Sequence, residues 1–588
     1  MINRREKVIV GNTWFKQVLS RVSTVDSRQS TDIMMLSSQS DAPSSQQQLL
    51  LQLPKPSNNL VRAMLTDLYQ LTMTYAHWKI GKHNDSAVIE LFFRKNPFKG
   101  QYTIFCGLDE CVKHLQSFQF TTEDVEYLKS TPSMAHCDEG YFEYLLSLDT
   151  SQLKVFALSE GTVAFPKIPL IVLEGPLGLC QLLETTLLNL VNFPSLLATN
   201  ASRMVLRAHP APCIEFGLRR AQGPDGAFSA SKYAYVGGFV GTSNVQAGKD
   251  LGIPIVGTHA HAYVQAFSSL DEVSDLTLFN NNTMQDEPFL QHVLKYRPEN
   301  RSTNDGELAS FVAYACAFPH NCLCLIDTYD TLESGLQNFV FVAKALDDFG
   351  YKPKGVRLDS GNLAFLSVRC KQAFDEVIAE QPSRRDAFSD LTIVVSNDIN
   401  EQALVDLSKT RHEITSYGIG TNLVTCQAQP ALGCVYKLVE WNGRPRIKLS
   451  QDLPKVTIPG RKRAYRLYGK DGRPLVDFLA LADEQAPIAG GDPVVCRHPF
   501  QQQQRFKVQP SRVESLHHLV FDGTAILDRF PDDLSATRTY VLTQLQNTFP
   551  DSLTRHQNPE EYGVMVSSQL YEFLHSTWEK EFPMKQLE

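Results

Sequence analysis

The sequence predicts an α/β fold: a (β/α) barrel, complete or distorted, preceded by an α+β amino-terminal domain and followed by a small β-rich carboxyl-terminal unit. Three observations carry this expectation. Between residues 206 and 430, short apolar runs end in polar loops and give way to helical periodicity, the pattern of parallel βαβ units. Upstream, strands and helices do not alternate strictly. Beyond Pro430, turn dipeptides join paired apolar runs instead.

In chain order, residues 1–60 come first, and Ser37 to Pro56 combine a Ser/Gln tract with prolines and little that could form a core. They read as a disordered extension. Ahead of the tract, Trp14, Phe15, Val18, Leu19 and Val22 could line a short helix like that of an organelle transit peptide. Glu6, Asp26 and Asp32 argue against that reading. The α+β domain, residues 61–205, opens where Thr66 can cap the helix TDLYQLTMTYAHW, with Tyr69, Tyr75 and Trp78 near one side. Strands in AVIELFFR and YTIFCG follow, then a helix opened by Thr121, Thr122, Glu123 and Asp124, and paired strands in KVFALSEGTVAFPKIPLIVLEGP.

The barrel strands end in IEFGLRR, IPIVGTHAH, CLCLIDTYDT, KGVRLDSGN, TIVVSNDIN and ITSYGIGTN, with helical runs such as Leu332 to Phe349 and Leu363 to Ile378 between some of them. The intervals from Asp327 to Asp359 and on to Asn397 fit one βα unit each. An open doubly wound sheet is the alternative, disfavoured because no glycine fingerprint opens the series. In residues 431–588, hairpins turn at Asn442-Gly443 and Asp471-Gly472, and helices from Leu534 to Gln546 and Pro559 to Lys580 close the chain against the amino-terminal domain.

Composition narrows the function classes. The 43% hydrophobic and 20% charged content of this 588-residue chain is that of a globular protein. Its most apolar stretch, Leu170 to Ala198, is broken by Glu174, Glu184, prolines and glycines, so it reads as a buried strand and core helix rather than a membrane span. A net charge of -8 removes the attraction that dominates binding to nucleic acid. Twelve cysteines without a CxxC pair read as reduced thiols, which suits a cytoplasmic protein. Cys496 and His498 in CRHPF lack the second ligand pair that zinc demands.

In such barrels the active site lies in loops at the carboxyl ends of the strands, and the last two commonly hold phosphate. Gly418 to Asn422 (GIGTN) offers successive backbone N–H groups and the Thr421 hydroxyl as an anion nest, or it is a tight turn. Arg219 and Arg220 follow a strand end, where a guanidinium fork matches phosphate oxygens or pairs with a rim carboxylate. Arg357 and Asp359 stand two apart and face one side, one suited to a negative group and the other to ribose hydroxyls or Mg²⁺. Asp327 and Asp330 bracket another strand end, Asp330 as a helix cap. His261, after a glycine turn, is a base, a metal ligand, a phosphate acceptor or a core hydrogen-bonder. Together these loops suit a phosphorylated substrate.

The segments LTDLYQLTM, EFGLRRAQGPDG, GTSNV, GTHAH, LIDTYDT, GVRLDSG, YGIGTNLVTC and ALGCVYKLVE, in this order, resemble nicotinate phosphoribosyltransferase over residues 60–580. The resemblance implies a barrel of the phosphoribosyltransferase type and an enzyme that joins nicotinate to 5-phosphoribosyl 1-diphosphate, with ATP as co-substrate and Mg²⁺ or Mn²⁺ as cofactor, in NAD salvage. It implies transient phosphorylation of His261 and catalytic or metal-holding roles for Asp327 and Asp359. Tyr69 and Phe216 become stacking faces for the pyridine ring, Arg219 the partner of its carboxylate, and Thr258 and Arg357 further nicotinate contacts. Arg220, Gly420, Thr421 and Asn422 hold the phosphoribosyl diphosphate. A homodimer with shared sites is implied, the Tyr69 helix reaching into the other subunit.

The family form has a serine after the phosphorylated histidine and an aspartate after DSG, where this chain has Ala262 and Asn362. These departures bear on hydrogen bonding around His261 and on one ribose or metal contact. Nicotinamide phosphoribosyltransferase shares the donor and the histidine, and Arg219 alone does not separate the two. Quinolinate phosphoribosyltransferase is shorter and lacks that histidine. A silent binding barrel would have lost rim residues, yet His261, Arg219 and Thr421 are present.

Overall fold

The computed structural model describes residues 54–299, 302–527 and 533–582. The Ser/Gln extension up to residue 53 and the helix expected around Trp14 lie outside them. Residues 54–60, assigned to the extension, already touch the fold, since the Ser57 amide donates to Glu110 Oε2 at 2.7 Å.

SAVIELFF, Ser86–Phe93, is buried at every position but its first, so both of its edges need partners. Ile171–Pro176 supplies one and Cys434–Trp441 the other, in register from Ala87 with Trp441 to Phe93 with Cys434. The resulting antiparallel sheet runs Arg444–Pro445, Cys434–Trp441, Ser86–Phe93, Ile171–Pro176, Lys154–Ala157, His518–Phe521. Half of its strands come from beyond residue 430, so the sheet crosses the boundary expected there. The Leu68–Lys79 helix starts after Asp67 rather than Thr66, whose hydroxyl donates to the carbonyl of Leu182 instead. Tyr75 and Trp78 pack on Tyr141, while Tyr69 is left exposed. Thr121 and Asp124 form the anticipated reciprocal cap of Thr122–Ser130.

The central sheet is parallel, in the order Leu323–Leu325, Gly355–Leu358, Thr392–Val395, Ser416–Ile419, Cys213–Glu215, Gly241–Thr242. IPIV, expected as a strand, contributes one bridge, Ile255 to Thr242, and the ladder strand before it comes from GTSNV. Pro254 has no N–H to extend that pairing. Among the described residues no ladder joins the Ile255 segment to Leu323–Leu325. There the imidazole of His259 substitutes, its Nε2 accepting from the Leu325 amide at 3.3 Å. The barrel is therefore distorted, with a side chain bridging its seam.

Asp330 caps the turn after Leu323–Leu325 through the amides of Leu332 and Glu333. Thr331–Gly335 is a π-turn leading into the Leu336–Asp348 helix. Asn362 caps Leu363–Glu380, accepting from the Phe365 amide at 3.1 Å.

The carboxyl-terminal sheet is mixed: Arg505–Val508, Val494–Arg497, Val564–Val566, Pro474–Leu481, Lys462–Tyr468, Arg512–Ser515. Asn442 and Gly443 both take positive φ, 48° and 68°, as a two-residue hairpin turn requires. The helix expected from Pro559 forms only at Ser568–Glu581, because Val564–Val566 pairs in parallel with Pro474–Leu481 and Ser567 then caps the helix. His498 accepts the amides of Phe500 and Gln501 at its Nδ1, a turn-forming role. Among the described residues no helix is long and apolar enough to cross a membrane.

Candidate active site on the barrel rim

Glu215, at the end of the Cys213–Glu215 strand, is buried, and its carboxylate organises the loop that follows. Oε1 accepts from the Gly217 amide, and Oε2 accepts from Ser231 Oγ at 2.9 Å and from the Thr242 hydroxyl. Asn244 extends the network, donating from Nδ2 to Ser231 Oγ at 3.1 Å. The next residue, Phe216, is held by its amide on the carbonyl of Ile419 at 2.9 Å. A side chain at Gly418 would collide with its ring, so GIGTN needs glycine there to admit Phe216. Arg219 and Arg220 lie on the 3-10 turn Leu218–Arg220, exposed, and neither meets a carboxylate among the described residues.

Arg357 projects over Phe216, its guanidinium carbon 5.4 Å from the ring centroid. Its Nε donates to Ser396 Oγ at 2.9 Å and its Nη2 to Asp359 Oδ1 at 3.2 Å; Ser396 also donates to that oxygen. Asp327 Oδ2 accepts from the Asp359 amide at 2.7 Å and from Ser360 Oγ at 2.6 Å. Asp327 Oδ1 is buried with no hydrogen-bond partner. Such an oxygen is costly unless something binds it, which marks it for a donor or cation supplied from outside the fold.

His261 opens the short His261–Gln265 helix. Its Nδ1 lies 3.0 Å from Thr328 Oγ1, and its Nε2 lies 3.8 Å from Asp359 Oδ2, so each nitrogen faces its own polar group. The side chain stays 39% exposed, accessible to a reactant. Two residues earlier, the seam histidine His259 is pushed down to about 4 by burial, so it stays neutral and can accept at Nε2. Thr258 donates to the carbonyl of His259 at 3.3 Å.

Five of the anticipated residues thus form one contiguous group: Phe216, Arg357, Asp359, Asp327 and His261. Gly420 borders it, since a Cβ there would stand 3.1 Å from the carbonyl oxygen of Phe216. Thr421 and Asn422 begin the turn that follows, where the carbonyl of Asn422 accepts from Asn200 Nδ2 at 3.3 Å. Tyr69 stands apart, among Asp67, Gln70, Glu184 and Thr185 of the amino-terminal domain. Asn362 is engaged as a helix cap, a task aspartate performs as well. Sequence reasoning missed Ser396, Thr328, Ser360 and the Glu215 network. The first three lie within strand-end segments already singled out, but as small hydroxyls between more conspicuous charges, whereas Ser231 of the network lies on the Gly223–Val236 helix.

Comparison with known proteins meets this site from outside. Residues 64–192, 212–471 and 461–574 match the family models described as the nicotinate phosphoribosyltransferase (NAPRTase) N-terminal domain, the NAPRTase family and the NAPRTase C-terminal domain. Nicotinate phosphoribosyltransferase 2 of Arabidopsis thaliana is 48% identical over 91% of this chain and 97% of its own length. The Dictyostelium discoideum nicotinate phosphoribosyltransferase is 48% identical over 91% of each. The crystal structure of human nicotinic acid phosphoribosyltransferase superposes with a TM-score of 0.77 at 39% identity, covering 87% of this chain and 99% of that one.

Proposed function

Because the chain belongs to the nicotinate phosphoribosyltransferase family, we propose that its barrel rim joins nicotinate to 5-phosphoribosyl 1-diphosphate. The products are nicotinate mononucleotide, on the way to NAD, and diphosphate. One observation carries the assignment of roles: the rim presents cations and an acceptor that the fold leaves unmatched. Arg219 and Arg220 lack carboxylates among the described residues, and Asp327 Oδ1 lacks a donor.

Arg219 pairs with the nicotinate carboxylate, whose ring stacks on Phe216 with Thr258 and Arg357 beside it. The second stacking face is Tyr69 of another copy of the chain, since its neighbours within one protomer all belong to the amino-terminal domain. This makes the active form a homodimer with shared sites. Arg220 and the turn Gly420, Thr421 and Asn422 hold the phosphoribosyl diphosphate. In the transfer, the bond from ribose C1 to diphosphate breaks and a bond to the pyridine nitrogen forms, leaving positive character on the ribose in between. Asp359, fixed by Ser396 and Arg357, and Asp327 lie where that charge and the ribose hydroxyls need partners.

The same two carboxylates suit Mg²⁺ or Mn²⁺ held through diphosphate or water, because Asp327 Oδ1 is a buried oxygen still without a partner. A bound divalent ion supplies neutralisation of the departing diphosphate. ATP is the co-substrate of His261. Asp359 beside Nε2 favours the proton there and leaves Nδ1, next to the Thr328 hydroxyl, as the nucleophile. Nδ1 bonds to the γ-phosphorus as its bond to ADP breaks, and water later returns the histidine.

Phosphoribosyl diphosphate is supplied with nicotinate or nicotinamide, with and without ATP, and the mononucleotide is identified by mass. Nicotinate mononucleotide is expected, formed faster with ATP; preferential nicotinamide mononucleotide would transfer the assignment to the nicotinamide enzyme. The absence of either product would leave a binding barrel. His261→Ala is expected to lose the ATP stimulation and keep slow transfer, and undiminished stimulation would remove the histidine from this role.

A further inference from the structure

Glu307 lies in the first turn of the Asp305–Ala317 helix, on no loop of the rim, and is wholly buried. Its Oε2 accepts from Ser334 Oγ at 2.6 Å and from Asn338 Nδ2 at 3.0 Å. Ser334 Oγ in turn accepts from the Asn304 amide at 3.0 Å, and Asn338 Nδ2 also reaches the carbonyl of Asn304 at 3.1 Å. These four residues clamp the start of one helix to the π-turn Thr331–Gly335 and to the first turn of Leu336–Asp348. The π-turn is pinned from its other side as well, because Gly335 packs so closely on the carbonyl of Ile326 that any Cβ would collide with it. Between Ile326 and the π-turn run only Asp327, Thr328, Tyr329 and Asp330.

A π-turn is a rare conformation that recurs at functional sites, and it persists only where its surroundings fix it. Here what it fixes is the loop that places Thr328 Oγ1 on His261 and Asp327 Oδ2 on the Asp359 amide. We infer that Glu307 is a positioning residue of the phosphoribosyl transfer: through Ser334 and Asn338 it sets the π-turn, and through the π-turn the register of Asp327 and Thr328 in the site. A displacement of about 1 Å in such a group costs on the order of 100-fold in rate. The Phe216–Arg219 segment, which carries the stacking face and the carboxylate partner of nicotinate, hangs on Glu215 instead and does not depend on this clamp.

The inference rests on the activity and on the site roles of Asp327 and Thr328 proposed above. Glu307 Oε1 makes no hydrogen bond, and burial, with the charges of Asp327 and Asp330, pushes the carboxyl up to about 7. A neutral amide with one accepting oxygen therefore keeps both bonds of the clamp. The test is steady-state kinetics of the full chain with nicotinate, phosphoribosyl diphosphate and ATP. Glu307→Ala is expected to lower kcat at least ~10-fold with the KM for nicotinate within ~2-fold, and Glu307→Gln to recover most of kcat. Ser334→Ala removes the same link with less disturbance and is expected to give the same split. The double variant Glu307→Ala/Ser334→Ala is expected to fall no further than the worse single one, since both cut one linkage.

Should Glu307→Ala fail to fold, Ser334→Ala decides alone: a lowered kcat at constant KM supports the inference, and an unchanged kcat overturns it. A KM for nicotinate that rises in step with the loss of kcat, or additive losses in the double variant, also overturns it. A wild-type chain without product would overturn the activity and this inference together, whereas an active chain with unimpaired variants overturns this inference only.

Discussion

In the carboxyl-terminal sheet Arg466 is fully buried, with Nε and Nη2 on the two oxygens of Asp477 at 2.7 and 2.9 Å and a further bond to the carbonyl of Val163 at 2.7 Å. Nearby, Lys462 is buried against Glu90 at 3.0 Å and donates to the carbonyls of Ile458 and Gly460. On the barrel rim Arg219 and Arg220 stand exposed without such partners among the described residues, and Arg357 is only part-committed, to Ser396 and Asp359. The same residue type therefore does two jobs. Where a buried guanidinium is paired with a carboxylate and a carbonyl of the fold itself, as at Arg466, the charge belongs to the structure. Where donors are left over beside an aromatic face, the match is the one proposed here for a substrate.

The largest effect should come from breaking the matched pair. Asp477→Ala strands the Arg466 guanidinium in a buried site and is expected to cost about 3 to 5 kcal/mol of stability, read by denaturant unfolding. Residual activity per folded molecule should be unchanged, and a specific loss of activity would bring the two regions closer than this contrast allows. Next comes Arg219→Ala, expected to leave stability within about 0.5 kcal/mol while kcat/KM for nicotinate falls on the order of 100-fold. Destabilisation in place of that loss would return Arg219 to the structural class. Smallest is Asn362→Ala, which removes a helix cap and should cost about 1 kcal/mol, with Asn362→Asp near wild type in stability. A fall in kcat/KM beyond ~10-fold for Asn362→Ala with no change in stability would show that the side chain serves the ribose rather than the helix.

Much of the site was legible because strand-end loops concentrate chemistry in short segments. Phe216, Arg357, Asp359, Asp327 and His261 were all drawn from such segments and converge in space. The parallel sheet was legible for the same reason, through apolar runs each ended by a polar loop. IPIV misled because its hydrophobicity matches a strand while Pro254 withholds a donor, and the seam is instead spanned by His259. The residues beyond 430 were read as a separate unit because periodicity reports a strand but not its partner. Nothing within VYKLVEW announces that it pairs with residues some 350 positions earlier. Glu307 escaped notice because a glutamate inside an apolar helix reads as solvent-facing unless Ser334 and Asn338 are seen beside it.

The pairing of Ser86–Phe93 with Cys434–Trp441 has a consequence for how the chain is made. Synthesis at about 5 to 20 residues per second means that the first of these strands leaves the ribosome roughly 20 to 70 seconds before its partner exists. Throughout that interval one long edge of the amino-terminal sheet stands open, with its row of backbone donors and acceptors unmet. The barrel between them is translated in the meantime, so the amino-terminal sheet is completed only after the whole barrel sequence has been made. A nascent chain stopped anywhere before residue 434 keeps that edge open, a template for pairing with another chain.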